Sequence, residues 1–292
     1  MTLVEPTTID EACQVLAQDP WGAKAISGGT AVVLMMRQGL LAPDSLVDIR
    51  RLPGLSGIET TPQLVRIGAT TTLAEVAGST DVRSLLPSLA HACAVVGNPR
   101  IRHAATLGGN VAEADYASDP PATLASLGAT VHVTGSAGSR VLSVPEVITG
   151  FFETSLEAGE IITHLEVPVP DRRRGAVYLK YRSRSSEDRA CVGVAARVDF
   201  TDGGAVHDLD VVVAAVAPRL QRVPAALAPV VGQELSPDVV EKVAEAYAQQ
   251  IDPMEDARGS AWYRRKMIHV FVRRALEAAR DTQQPAGGQN DA

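Results

Sequence analysis

Two glycine-rich segments and one carboxylate are where this sequence could do chemistry. Ser27-Gly28-Gly29-Thr30 follows a short β-like run, residues 23–27, and precedes an apolar helical run, residues 31–38, closed by Gly39. Thr106-Leu107-Gly108-Gly109-Asn110 is the second segment. Glycine at such a turn lets the backbone approach a ligand closely and exposes N–H groups as an anion-binding concavity. The Thr30 and Thr106 hydroxyls could add bonds to phosphate oxygens. Each segment alone also reads as an ordinary tight turn. Neither matches G-x-G-x-x-G or the Walker pattern, so a Rossmann dinucleotide site or a kinase-type phosphate loop is not expected. Asp119 stands before Pro120-Pro121. There it can cap a helix, or accept hydrogen bonds from ligand hydroxyls.

Other residues invite weaker readings. His103, next to Arg100 and Arg102, reads as a proton relay or part of a solvated basic loop. Arg172-Arg173-Arg174 reads as a partner-docking patch or a solvated loop between domains. Glu187-Asp188 reads as an acid/base pair or as structural partners of Arg184 or Arg189. Cys13, Cys93 and Cys191 sit in apolar contexts and read as inert core thiols.

The elements that must position these residues follow from periodicity. A helix is expected over 7–17, with Glu11 three residues after Thr8 as in a capping box. Strands are expected at 45–49 and 64–67, and helices at 70–77 and 81–95, the latter restarted at Pro87. A polar stretch follows Gly97-Asn98-Pro99. A small helix at 122–127 precedes a hairpin of 129–134 and 140–144, and a strand at 161–167. The pattern then changes near 168–176. Strands at 176–182, 190–200 and 209–217 come first, and helices at 236–250 and 260–279 come after, which suggests an α+β layer. This divides the chain into 1–172, 173–280 and a polar tail, 281–292, expected to be disordered.

Composition narrows the function classes. The chain has 292 residues, 46% apolar and 21% charged, as in a globular protein. Its formal charge of −7 gives no general drive toward nucleic acid or anionic lipid. With aromatics at 4%, a base-stacking platform is not expected either. No apolar run approaches the ~18 residues a bilayer span needs. The N-terminus lacks a basic region followed by an apolar core, so no secretory signal is expected. The three cysteines are far apart, with no C-x-x-C, so neither an iron–sulfur cluster nor a structural zinc site is expected within the chain, and no metal ligands are assigned. Reduced thiols and a cytoplasmic location follow, with any membrane association made through partners.

Taken together, four motifs carry a resemblance. They are Ser27-Gly28-Gly29-Thr30; Ala105 to Asn110 with Asp119; Glu160-Ile161-Ile162 leading to Val167-Pro168; and Lys180-Tyr181-Arg182 through Glu187-Asp188-Arg189-Ala190. In this order and spacing the chain resembles the FAD-binding medium subunit of molybdenum hydroxylases, such as aerobic carbon monoxide dehydrogenase and the flavin domain of xanthine dehydrogenase. The resemblance spans about residues 1–280. It implies an α+β protein: a two-part α/β FAD-binding domain (PCMH/VAO-like), then a smaller α+β domain whose sheet carries helices on one face.

Carried over by position, the resemblance implies that Ile26, Ser27, Gly28, Gly29, Thr30 and Ala31, with Thr106, Leu107, Gly108, Gly109 and Asn110, enclose the FAD pyrophosphate through backbone N–H groups. Asp119 falls where the family has an aspartate on the sugar portion of FAD, and Gly97 where the backbone passes close to the cofactor. Ile161, Ile162 and Lys180 fall on the isoalloxazine side. Ala31 replaces a residue the family often has as acidic or small polar, so only backbone contact is implied there. The resemblance further implies electron transfer from [2Fe–2S] clusters of a small partner subunit through FAD to an external acceptor. Molybdopterin would sit in a large partner subunit, the whole a dimer of heterotrimers. A stand-alone FAD-dependent oxidoreductase, and a non-catalytic scaffold on a decayed flavin fold, are the alternatives.

Overall fold

The computed structural model describes residues 1–170, 173–183 and 189–283. Glu187, Asp188, Arg184 and Arg172 therefore lie outside the described residues, as does the tail from 284 onward.

The N-terminal part holds two sheets. β1 (Thr2–Val4), α1 (Ile9–Gln18), β2 (Ala23–Ile26), α2 (Val32–Arg37) and β3 (Ser45–Asp48) form a small parallel sheet in the order β1-β3-β2. Thr8 caps α1 by accepting from the Glu11 N–H, and Glu11 in turn accepts from Thr7. Ala12, Cys13 and Leu16, on one face of α1, pack with Val47 and Leu55 in a first core.

A second, antiparallel sheet follows. Its strands are β4 (Ile58–Thr60), β5 (Leu64–Gly68), β6 (Thr130–Gly135), β7 (Gly138–Ser143) and, after the minor elements α9 (Val144–Val147), β8 (Ile148–Gly150) and β9 (Glu153–Thr154), β10 (Ile161–Pro168). The order is β4-β5-β10-β6-β7. Between β5 and β6 run six short helices: α3 (Leu73–Gly78), α4 (Thr80–Leu85), α5 (Pro87–Ala94), α6 (Pro99–Ala104), α7 (Leu107–Glu113) and α8 (Pro120–Ser126). Pro87 starts α5 as expected.

Two elements correct the sequence reading here. The polar stretch after Pro99 is helical: Asn98 caps α6 by accepting from the Ile101 N–H. His103 thus projects from a helix rather than a loop. The second Gly-Gly segment is not a turn between elements but the first turn of α7, capped by Thr106. Glycine's poor helix propensity hid the start of α7, and the lack of an apolar stripe hid α6.

The last part is a meander, β11 (Arg174–Tyr181), β12 (Val192–Phe200) and β13 (Val206–Ala214), followed by α10 (Pro224–Leu227), α11 (Pro237–Gln250) and α12 (Ala261–Asp281). The α12 helix runs into the stretch expected to be tail. The domain's own long helices cover one face of the sheet, where Val194, Val211, Val243 and Leu276 share a core. The other face is covered too. Tyr178, Ala195 and Val212 belong to the main core of the N-terminal part, beside Leu89 and Leu124. A central strand buried on both faces reads as the near-continuous apolar run Val192-Gly193-Val194-Ala195-Ala196. Arg174 is not a solvated loop residue: it opens β11 and holds Asp199 through Nε and Nη2.

Candidate functional site

A cleft of about 720 Å³ opens between the two glycine segments. Ser27 to Ala31 form one side and Thr106, Gly108, Gly109 and Asn110 another, while Gly97, Asp119, Ile161, Ile162 and Lys180 complete the wall. Two of the expected residues do not line it. Leu107 is fully buried in the core beside Val111, and Ile26 is half-buried behind the first segment.

The first segment is shaped by close packing on one side and openness on the other. A Cβ added to Gly28 would collide with the Ala104 carbonyl, so only glycine lets β2 end against the α6–α7 junction. Gly29 has φ +68, a conformation other residues enter at a cost of about 1 kcal/mol or more. No protein acceptor meets the backbone N–H of Gly28, Gly29, Thr30 or Ala31 among the described residues. The Ser27 hydroxyl, inaccessible to solvent, also has no partner. The buried Ser27 hydroxyl and the cleft-lining N–H groups of Gly28 to Ala31 together present donors to an acceptor-rich ligand.

The second segment differs. Leu107 N–H donates to Thr71 O at 2.9 Å and Gly108 N–H to Ala69 O at 2.9 Å. Gly109 N–H donates to the Thr106 hydroxyl at 3.2 Å, and Asn110 N–H to Thr106 O at 2.9 Å. Four of the five donors expected to face the ligand, those of Leu107 to Asn110, are spent inside the chain, because a helix start in a packed interior must satisfy its own N–H groups. What this segment gives is room. A Cβ at Gly109 would meet only the Thr106 hydroxyl, whereas one at Gly108 would lie 2.5 Å from the Ala69 Cβ.

Across the cleft, Asp119 occupies the cap position of α8 but makes no side-chain cap bond. Its carboxylate accepts from the Tyr178 hydroxyl at 2.6 Å and from Lys180 Nζ at 2.7 Å. Lys180 Nζ also donates to Val95 O at 3.0 Å. Tyr178 and Lys180 are two apart on β11 and so share a face, which brings both to one carboxylate. Burial pushes the Asp119 carboxyl above its ordinary value, against the pull of Lys180 and Tyr178. The ion pair is nearly inaccessible, with side-chain exposures of 4% and 3%. It ties the C-terminal meander to the cleft wall.

Sequence reasoning missed a charged end of the cleft. Lys24, Glu113, Asp115 and Arg189 line it, and Arg189 holds Asp115 at 2.9 Å. Burial raises the Glu113 carboxyl above its ordinary value. No local motif marks these four, since they come from three separate stretches. Exposed Trp21, Leu34 and Ile101 add an apolar rim.

A strand-to-helix turn with unspent N–H groups, an orphan hydroxyl and a long cleft between two α/β lobes define a protein that binds a phosphate-bearing nucleotide. The chain belongs to the family described as FAD binding domain in molybdopterin dehydrogenase, which matches residues 1–170, and residues 177–279 match the CO dehydrogenase flavoprotein C-terminal domain. It is 31% identical over 274 residues to the glyceraldehyde dehydrogenase medium chain of Sulfolobus acidocaldarius, covering 94% of this chain and 96% of that one. It is 33% identical to the nicotine 6-hydroxylase medium subunit of Paenarthrobacter nicotinovorans, covering 94% and 95%. Its fold superposes on a chain of the cyanide-inactivated Cu,Mo-CO dehydrogenase with a TM-score of 0.91, at 31% identity over 96% of this chain and 98% of that one. The chain is therefore an FAD-binding oxidoreductase subunit, and the unspent donors of the first segment fit the pyrophosphate of FAD.

Proposed function

We propose that this chain is the electron-transfer flavoprotein subunit of a heterotrimeric molybdenum hydroxylase. It would work beside a small [2Fe–2S] subunit and a large molybdopterin subunit, with residues 1–172 as the cofactor domain and 173–280 as its C-terminal support. The observation that carries the reading is the set of unspent donors at Ser27–Ala31, which call for a pyrophosphate-like acceptor. Bound FAD supplies the redox chemistry. The chain's residues hold and orient it. The N–H groups of Gly28 to Ala31 and the Ser27 hydroxyl bind phosphate oxygens. Gly97, Gly108 and Gly109 leave the space, and Ile161 and Ile162 give an apolar wall that excludes water. Asp119 and Lys180 fix that wall against β11. The exposed apolar rim of Trp21, Leu34 and Ile101, and the widely spaced cysteines, favour a subunit that meets its clusters in other chains.

The test is purification of the chain with its native partners and, separately, alone. The complex should show flavin absorption near about 370 and 450 nm and dehydrogenase activity. The chain alone should lack that activity. A flavin-loaded monomer that oxidises a small molecule unaided would move the reading to a stand-alone flavoenzyme.

A further inference from the structure

Away from the cleft, the outer face of the antiparallel sheet carries a cluster that flavin binding does not use. His132 on β6 lies directly opposite His164 on β10. Glu166 is two residues beyond His164, hence on the same face. One ligating atom from each lies within 4.8 Å of the others. Among the described residues this is the one grouping of three such side chains.

The hydrogen bonds bear on how His164 is presented. The Thr163 hydroxyl lies 3.2 Å from His132 O and 3.0 Å from His164 Nδ1; when its one proton goes to the carbonyl, it accepts from Nδ1. That arrangement puts the proton of His164 on Nδ1 and leaves Nε2 with a bare lone pair. Nε2 stands 3.7 Å from Glu166 Oε1. On the other ring, His132 Nε2 is inaccessible and makes no hydrogen bond, although Glu166 Oε2 is 3.1 Å away. Two imidazole nitrogens and a carboxylate thus meet at one place on the sheet face, with Arg66 on the neighbouring strand opposite Glu166.

We propose that His132, His164 and Glu166 bind a divalent transition cation of the zinc type. Two imidazoles with one carboxylate suit Zn²⁺, with Co²⁺ and Ni²⁺ close behind. Thr163 serves as the orienting partner that such histidine ligands require. The two rings are stacked, with centroids 4.0 Å apart and planes at 19°, so binding turns them until both lone pairs converge over Glu166. Arg66, opposite Glu166 on β5, contacts Glu59 at 3.4 Å. The cysteine-based exclusion of a zinc site does not reach a site of this composition.

The experiment is calorimetric titration of Zn²⁺ into the chelator-treated, flavin-loaded chain. One Zn²⁺ per chain is expected. His132→Asn and Glu166→Gln should each weaken binding by about tenfold or more, while His103→Asn leaves it unchanged. Glu166→Gln is isosteric and half-exposed, and carries the test alone if His132→Asn fails to fold. Flavin absorbance should be the same in all variants. No stoichiometric Zn²⁺, or an affinity that survives Glu166→Gln, overturns the proposal, the second outcome placing the metal elsewhere.

Discussion

At Gly28 to Ala31 the backbone N–H groups have no protein acceptor among the described residues. At Leu107 to Asn110 all four donate within the chain. Both segments contain the same Gly-Gly pair and both line the same cleft. The difference is what surrounds each. The first segment ends an edge strand, β2, and its N–H groups line the cleft. The second starts a helix beside residues 69–72, where Thr71 and Ala69 carbonyls take two of its donors and Thr106 takes the other two. Glycine in the first case keeps donors available; in the second it keeps volume available. A binding turn is thus recognised by unspent donors rather than by its glycines.

Four substitutions would break or sharpen this contrast. The largest effect belongs to the wall that both segments face. Asp119→Ala leaves Lys180 buried without an anion and should cost about 3–5 kcal/mol in urea unfolding. Asp119→Asn should cost less, since its amide oxygen can still accept. If Asp119→Ala unfolds like the parent, the ion pair does not hold the cleft.

Gly108→Ala places a methyl against Ala69 and should cost about 1–3 kcal/mol by overpacking. FAD affinity of the folded fraction should stay at the parental level, because this segment supplies shape. A large loss of affinity at unchanged stability would erase the contrast. Gly29→Ala has ordinary room for its methyl but must hold φ +68. A cost of about 1 kcal/mol is expected, with weakened FAD binding measured by fluorescence titration. If only stability moves, the turn is structural.

Ser27→Ala has the smallest effect and the clearest sign. Removing an orphan buried hydroxyl should raise apo-protein stability by about 1 kcal/mol. The same change should weaken FAD binding by about fivefold to tenfold, the worth of one hydrogen bond. Thermal melts of apo and loaded protein read both signs together. Movement in the same direction would mean that the hydroxyl has another role.

Much of the site was legible from residue order. Ser27 to Thr30, Gly108 to Asn110, Asp119 and Lys180 all reach the cleft, and each was marked by glycine, proline or a charged residue in a short motif. The helix α6 was not legible, because Pro99-Arg100-Ile101-Arg102 shows no apolar stripe; its cap, Asn98, was the signal. Nor was the His132–His164–Glu166 cluster. Its one local trace is His164-x-Glu166, the spacing that puts two side chains on one strand face.

The sequence by itself determined the element types, the break in pattern near residue 170 and the set of segments able to approach a phosphate. These depend on local chemistry: periodicity, capping and glycine's freedom at positive φ. Tertiary structure alone decided which N–H groups stay unspent, that Asp119 is held by Tyr178 and Lys180 instead of capping its helix, and that His132 meets His164 across two strands. The physical reason is the same in each case. A hydrogen bond or ion pair is settled by what the rest of the chain brings within about 3 Å, and residues 59 or 61 positions apart leave no mark on each other's neighbours in sequence.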